Sequence, residues 1–569
     1  MELNQIITMA RGDEPADLLL KGGQIVNVFS GEVHDADVVI AEGKIVAIGS
    51  GYAAKNVIDV SGQVIAPGFI DAHVHIESAM VPPPEFARAV VPRGTTTVIT
   101  DPHEIGNVLG LDGIRYMFDA AKYNPLSMFV MAPSCVPATN METSGATLRS
   151  YDIETFRDNP WVLGLAEMMN YPGVVNGDPE TLAKINTFKG KVLDGHAPGL
   201  SGRPLNAYVA AGIASDHECT TVDEAREKLR LGMTIFIREA TTAHNLEALL
   251  PLITPATSAR ICWCTDDRQP ADLLDQGGID YLIRRAIRLG IDPVTAIQIG
   301  TINPANYFGL NDRGAIAPGR RADLVVLDNL RNVTTKLVLR GGAVVARDGA
   351  LLPYDKPPRD IRVRSSMNID WDKLSFRVEA KGRKAHVIGV IPDQIVTEHL
   401  IEDLTIENGE AVQDPGLDLL KIAVVERHTH SGAHTVGFVK GIGLLRGAIA
   451  SSIAHDHHNL VVVGADDESM LTAAQAVGKM HGGLAVAHKQ EVLARVPLPI
   501  AGLMSDQPIE TVRQQMDKAL AAAHELGSHL HDPFMAMSFL ALAVIPELKI
   551  TDQGLVDVTK FEMVPLFAD

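Results

Sequence analysis

The chain has 569 residues, 46% hydrophobic and 21% charged, which is ordinary globular usage and enough for roughly two to four domains. Lys and Arg total 50 against 70 Asp and Glu, and the net charge of −20 argues against binding nucleic acid through its phosphates. Four cysteines (Cys135, Cys219, Cys262 and Cys264) form no disulfide framework, so a reduced, cytoplasmic location is expected. The first residues carry acids and lack a basic region followed by an apolar one, so no leader is expected. The longest apolar stretch, Pro533 to Pro546, is too short to span a bilayer and predicts a buried helix.

From Asp17 to Val60, short apolar runs separated by Gly and polar turns predict a meander of antiparallel strands. A similar pattern returns over Gly314 to Asp348. The two segments can pair into one small composite β-sandwich domain, assigned to residues 1–67 plus 315–360. Between them the rhythm changes to apolar runs alternating with helical stretches. Strands are predicted at 63–75, 95–103, 126–134, 161–169, 191–197, 211–217, 233–238 and 259–267. Helices are predicted around Leu111–Lys122, Pro179–Thr187, Val222–Arg230 and Asn245–Leu252. Eight such strands over residues 68–314 predict a (β/α)8 TIM-like barrel, whose active site belongs at the C-terminal ends of the strands. Beyond it, residues 361–569 carry 13 of the 20 histidines and are assigned to a C-terminal α+β domain. The fold class is therefore α/β overall.

Reactive residues do fall at the predicted strand ends. They are His73 and His75 on the first, Asp101 and His103 on the second, Glu167 on the fourth, His196 on the fifth, His217 on the sixth, and Asp266 and Asp267 on the eighth. Any one of them has an ordinary reading as a satisfied polar side chain, but the shared rim does not. Side chains two apart on a strand point the same way, so His73 and His75 can reach one metal ion. Asp266 closes that site from the neighbouring eighth strand, and His196 with His217 can hold a second ion. Glu167 can bridge the two ions through its two oxygens. Imidazole with carboxylate suits Zn, Fe or Mn. Such a pair lowers the pKa of a water from 15.7 to about 7, and Asp266 is the candidate to take its proton. Asp267 is a partner of Asp266 or a substrate contact.

Several longer motifs accompany these residues: DAHVHIESAMVPP (71–83), TDPHEIGNV (100–108), GLAEMMNYPGV (164–174), DGHAPGLSG (194–202), SDHECT (215–220), CTDDR (264–268), VKGIGLLRGAIASSIAHDHHN (439–459) and PLPIAGLMS (497–505). With them the chain resembles the amidohydrolase superfamily, and within it the bacterial adenine deaminases, over nearly its whole length. The resemblance implies hydrolysis of adenine to hypoxanthine and ammonia, with two divalent ions, Mn or Fe by resemblance and Zn as the alternative. Many superfamily members bridge their ions with a carbamylated lysine on the fourth strand. Here that strand ends in Glu167, with Lys184 and Lys191 too far along, which agrees with the deaminase subgroup. Attack at C6 of the purine builds charge on N1. Glu77, Ser78, His103 and Glu104 lie on the loops that follow the first two strands. Glu77 is the candidate acid facing the ring, with a backbone-capping role as its alternative; Ser78, His103, Glu104 and Asp267 are candidate substrate contacts.

The later histidine clusters, 426–430, His434 and 455–459, are read as a hydrogen-bonded wall over the barrel mouth in preference to a second metal site. The Gly-rich 437–447 lacks the order of a phosphate loop. Cys262 and Cys264, without a second pair, predict core packing. Expected partners are adenine and water, no nucleic acid and no membrane, with the chain forming a homo-oligomer as large acidic metalloenzymes often do. The alternative function is an amidohydrolase that opens a cyclic amide or imide such as a dihydropyrimidine or hydantoin. A small zinc-type polynucleotide base deaminase is excluded by the missing H-x-E…P-C-x-x-C signature.

Overall fold

The computed structural model describes residues 2–354, 363–392 and 394–568. The expected boundary at 360/361 lies outside the described residues.

Both ends of the first 350 residues build one sandwich. One sheet has four strands in the order Lys44–Ile48, Val38–Ala41, Ala16–Lys21, Ala54–Asp59. In the other, Val64–Pro67 pairs antiparallel with Leu324–Leu327, so the two sequence flanks meet in one hydrogen-bonded ladder. Leu20, Ile40 and Ile45 of one sheet pack on Ile65, Leu324 and Leu339 of the other. The meander is not wholly antiparallel, because Ala16–Lys21 pairs parallel with Ala54–Asp59, and Gln24–Asn27 with Val64–Pro67. The chain switches between the two sheets after Ala16–Lys21, after Glu32–Asp35 and after Ala54–Asp59, and each parallel pair joins strands separated by such a crossover.

The eight alternating strands follow as β1 (Phe69–Val74), β2 (Thr95–Thr100), β3 (Ser127–Ala132), β4 (Val162–Met168), β5 (Val192–Gly195), β6 (Ser215–Asp216), β7 (Thr234–Arg238) and β8 (Ile261–Cys264). They form two parallel arcs, β1 to β5 and β6 to β8. The arcs are joined on one side by Ala214 N–H to Leu193 O at 2.9 Å, and on the other by a parallel bridge between Val74 and Asp266. That is the expected barrel. The predicted first strand, 63–75, splits at Gly68, where the chain leaves the sandwich and enters the barrel. A side chain at Gly68 would collide with Thr96, so the close approach needs glycine there.

The C-terminal unit centres on an eight-stranded sheet running from Thr397–Asp403 at one edge to Glu491–Pro497 at the other. Helices Asp467–Lys479 and Ile509–Glu525 pack against it. The apolar stretch that predicts one helix forms only Pro533–Phe539 as helix. Leu540 to Ala543 continue as buried irregular chain that faces the barrel rim. No helix among the described residues is long and apolar enough to cross a membrane.

Candidate metal and substrate site

β1 is buried along its whole length, and His75 just beyond it keeps an extended backbone. The two imidazoles therefore share one side, with their Nε2 atoms 3.1 Å apart. β8 meets β1 here through Asp266 N–H to His73 O at 3.0 Å and His75 N–H to Asp266 O at 3.3 Å. Asp266 adopts a positive φ of 55°, a strained conformation that aims its carboxylate inward.

Glu167 at the end of β4 lies between two groups of ligands. Its Oε1 faces His75 Nε2 at 3.2 Å and His73 Nε2 at 3.7 Å. Its Oε2 faces His196 Nδ1 at 2.7 Å and His217 Nε2 at 3.2 Å. Asp266 Oδ1 completes the first group, 3.2 Å from His75 Nε2 and 3.6 Å from His73 Nε2. All six side chains are buried, and donor atoms of His73, His217 and Asp266, and of Glu167, His196 and His217, lie within 4.8 Å of one another. The donor set and the split of Glu167 fit two divalent cations with one carboxylate between them. Burial alone would raise the carboxyl pKa values. The imidazoles around Glu167, and His73, His75 and Arg238 around Asp266, overcome it and hold both well below the usual range.

The residues behind the ligands hold them in place. Tyr208 OH donates to Met168 O at 2.8 Å and accepts from His196 N–H at 3.0 Å, which ties β4 to β5. Arg238, the last residue of β7, donates to Asp266 Oδ2 at 2.7 Å and to Glu218 Oε2 at 2.8 Å. Sequence reading passed over Arg238 and Glu218. The strand-end rule applied to β7 was the available signal for the first, and adjacency to His217 for the second.

The other candidates separate. His103, Glu104 and Asp267 line the cavity above the ligands; Glu77 and Ser78 do not. Glu77 Oε1 accepts from Ile105 N–H at 3.3 Å at the start of helix His103–Leu109, the capping alternative. Among the described residues its Oε2 has no hydrogen-bond partner, and burial together with the charge of Glu104 pushes its pKa up to about 7. Ser78 Oγ donates to Asp267 Oδ1 at 2.5 Å and so reaches the cavity only through Asp267. Asp101 accepts from His103 through both its backbone N–H and, at 3.0 Å, its Nδ1.

The C-terminal unit roofs the cavity. His455 Nδ1 pairs with Glu104 Oε1 at 2.8 Å, and His458 Nε2 with Glu104 Oε2. His455 stacks on Phe539 at 4.6 Å, and Ile395, Leu542 and Ile545 complete an apolar face. The histidine clusters thus divide. His455 and Asp456 face the cavity, and His458 supports Glu104. Glu426 only caps its own loop, accepting from Ser431 Oγ at 2.7 Å, and His430 is exposed. Cys262 and Cys264 pack in the barrel core with Ile70 and Phe236.

A model of the amidohydrolase family matches residues 64–345, and one of the adenine deaminase C-terminal domain matches residues 394–562. The chain is 56% identical over 568 residues to an adenine deaminase of Desulfatibacillum aliphaticivorans, covering 99% of each chain. It is 51% identical to one of Methanothrix thermoacetophila, covering 100% of each, and 48% identical to one of Brucella melitensis, covering 99% of this chain and 96% of that one. Matched at 48–56% identity over nearly its whole length, the chain belongs to the adenine deaminase family of the amidohydrolases.

Proposed function

We propose that the chain hydrolyses adenine to hypoxanthine and ammonia, and that the two oxygens of Glu167, each facing its own pair of imidazoles, are the observation that carries this reading. His73, His75 and Asp266 would hold one divalent ion and His196 and His217 the other, with Glu167 shared. Ions so held lower the pKa of a water toward 7 and supply the nucleophile at neutral pH. The nitrogen and oxygen donors suit Zn, Fe or Mn alike, and the preference for Mn or Fe, with Zn the alternative, rests on the family resemblance. The four buried free cysteines support a cytoplasmic location.

The protein's own groups handle the protons. Water oxygen bonds to C6 of adenine, and the C6–N bond then breaks to release ammonia. Asp266 has Oδ2 held by Arg238 and Oδ1 turned toward His73 and His75, so Oδ1, on the side where the ions would sit, is the atom placed to take a proton from the water and pass it to the departing nitrogen. Charge developing on N1 needs a proton donor in the cavity. Glu104 lines it with its two oxygens paired to His455 and His458, whose imidazoles outweigh burial and hold its carboxyl well below the usual range, while Glu77 is turned to the backbone; the ring-facing role is therefore assigned to the Glu104–His455 pair, in which Glu104 keeps His455 protonated and His455 is the donor. Asp267 and His103 border the same space.

The test is purified protein loaded with Mn or Fe, assayed by chromatography and ammonia release with adenine and with dihydrouracil. Hypoxanthine and ammonia from adenine alone are expected. Conversion of dihydrouracil with adenine untouched would replace this reading with cyclic-amide hydrolysis.

A further inference from the structure

Behind the cavity wall lies a buried cation with no carboxylate beside it among the described residues. Lys549, on strand Leu548–Thr551, is fully buried. Its Nζ donates to Ile395 O and to Phe539 O, both at 2.9 Å. Among the described residues no carboxylate pairs with it, and burial pushes its pKa down to about 7. A buried ammonium without a counter-charge is costly, and a methionine of similar length would fill the space without that cost. Its two acceptors indicate what it does there.

Phe539 is the last residue of helix Pro533–Phe539, so its carbonyl lacks a partner within the helix and sits at the negative end of the helix dipole. Ile395 precedes strand Thr397–Asp403. Both residues line the cavity. The Phe539 ring lies against His455 with an interplanar angle of 12°, and His455 in turn pairs with Glu104. A single amine thus joins two chain segments 144 residues apart in sequence, and the side chains of both segments form the apolar face of the roof.

We propose that Lys549 is a positioning residue for deamination: it clamps the Ile395 and Phe539 segments together and, through the Phe539 ring, sets the imidazole of His455 against Glu104. This rests on the reading that the cavity receives the adenine ring. A loosened roof weakens the grip on the ring more than it disturbs the ligands at the barrel rim, because those ligands are held from β1, β4, β5, β6 and β8.

The experiment uses the full-length, metal-loaded protein with Lys549→Met, Lys549→Gln, Phe539→Ala and the double variant Lys549→Met/Phe539→Ala. Wild type is the control: no ammonia from adenine there overturns the functional reading itself. In Lys549→Met, KM for adenine should rise about tenfold, the scale of one lost hydrogen bond. Its kcat should fall as well, by about threefold or more, because His455 belongs to the pair that handles the proton at N1, while the metal content should not change. Lys549→Gln retains an N–H donor and should show a smaller rise. Phe539→Ala should raise KM as well, and adding Lys549→Met to it should raise KM no further. A wild-type KM in folded Lys549→Met, or effects of the two exchanges that multiply, overturns the proposal. If Lys549→Met does not fold, Lys549→Gln decides: a raised KM with intact metals supports the clamp, and a wild-type KM overturns it.

Discussion

Exchanging Lys228 for methionine tests how the barrel holds the His196 and His217 half of the site. Lys228, on helix Val222–Arg230, is fully buried and donates to Ala197 O at 2.7 Å, Asp216 Oδ2 at 3.0 Å and Glu224 Oε1 at 2.8 Å. Asp216 in turn accepts from Ala197 N–H at 2.8 Å and Glu218 N–H at 3.1 Å. The pair therefore fastens the residue after His196 to those on either side of His217. Burial opposes the Asp216 charge, but Lys228 first and then His217 outweigh it and bring its pKa from 3.8 down to about 2. At 1.36 kcal/mol per pKa unit, that difference is about 2.4 kcal/mol. Because the folded pKa is the lower one, this stability is present above pH 3.8 and lost as pH falls through about 2. Lys228→Met leaves a buried carboxylate without its cation and takes one donor each from Ala197 O and Glu224 Oε1, which keep only the N–H groups of Leu200 and Gly199, so the cost should reach about 3–5 kcal/mol. Urea unfolding at pH 7, read from the fluorescence of the three tryptophans, of which Trp263 is buried in β8, measures it. Metal analysis should show weakened retention of the ion held by His196 and His217, and Asp216→Asn added to the variant should recover part of the stability. A change below about 0.5 kcal/mol, the level of an ordinary surface exchange, with full metal content would refute the reasoning.

Other outcomes follow from the same contacts. Glu104→Gln should lower kcat by about 10²–10⁴-fold, the scale of a lost general acid or base, whereas Glu77→Gln, facing the backbone, should leave kcat near wild type; steady-state kinetics of the two variants separate the candidates. Arg238→Met frees Oδ2 of Asp266 and should cost about 10–100-fold in activity or metal affinity, the scale of a residue supporting a ligand. His73→Ala and Asp266→Asn should abolish turnover while circular dichroism remains native, and near-normal activity in either would remove it from the ligand set. A chelator should abolish ammonia release, and added Mn, Fe or Zn should restore it to different extents, which ranks the ions.

The local chemistry of the rim was legible in the chain. A strand has a period of two, so His73 and His75 had to share a side, and strands that alternate with helices present their C-terminal ends to one rim. The six candidate ligands could be named because each lies at the end of one of five apolar runs. The pairing of Val64–Pro67 with Leu324–Leu327 was equally readable, as two similar β patterns flanking an insertion. The roof was visible only as histidine clusters of uncertain orientation, and only contact between the barrel and the C-terminal unit selected His455, Asp456 and His458 from among them.

Glu77 and Glu104 show where sequence reading stops. Both are acids just past the first two barrel strands, and nothing in their spacing ranks one above the other. The choice was made by long-range contact, with Ile105 N–H turning Glu77 away and two imidazoles from more than 350 residues downstream holding Glu104 in place. Arg238 and Lys549 are the same case, since a lone cation at a strand end or in a short strand acquires its role only from the groups that folding brings to it. Periodicity is a property of the chain and survives without the fold, so the sequence by itself determined the elements and the residues at their ends. Which of those residues face the same cavity depends on distances between segments far apart in the chain, and only the tertiary structure decided that.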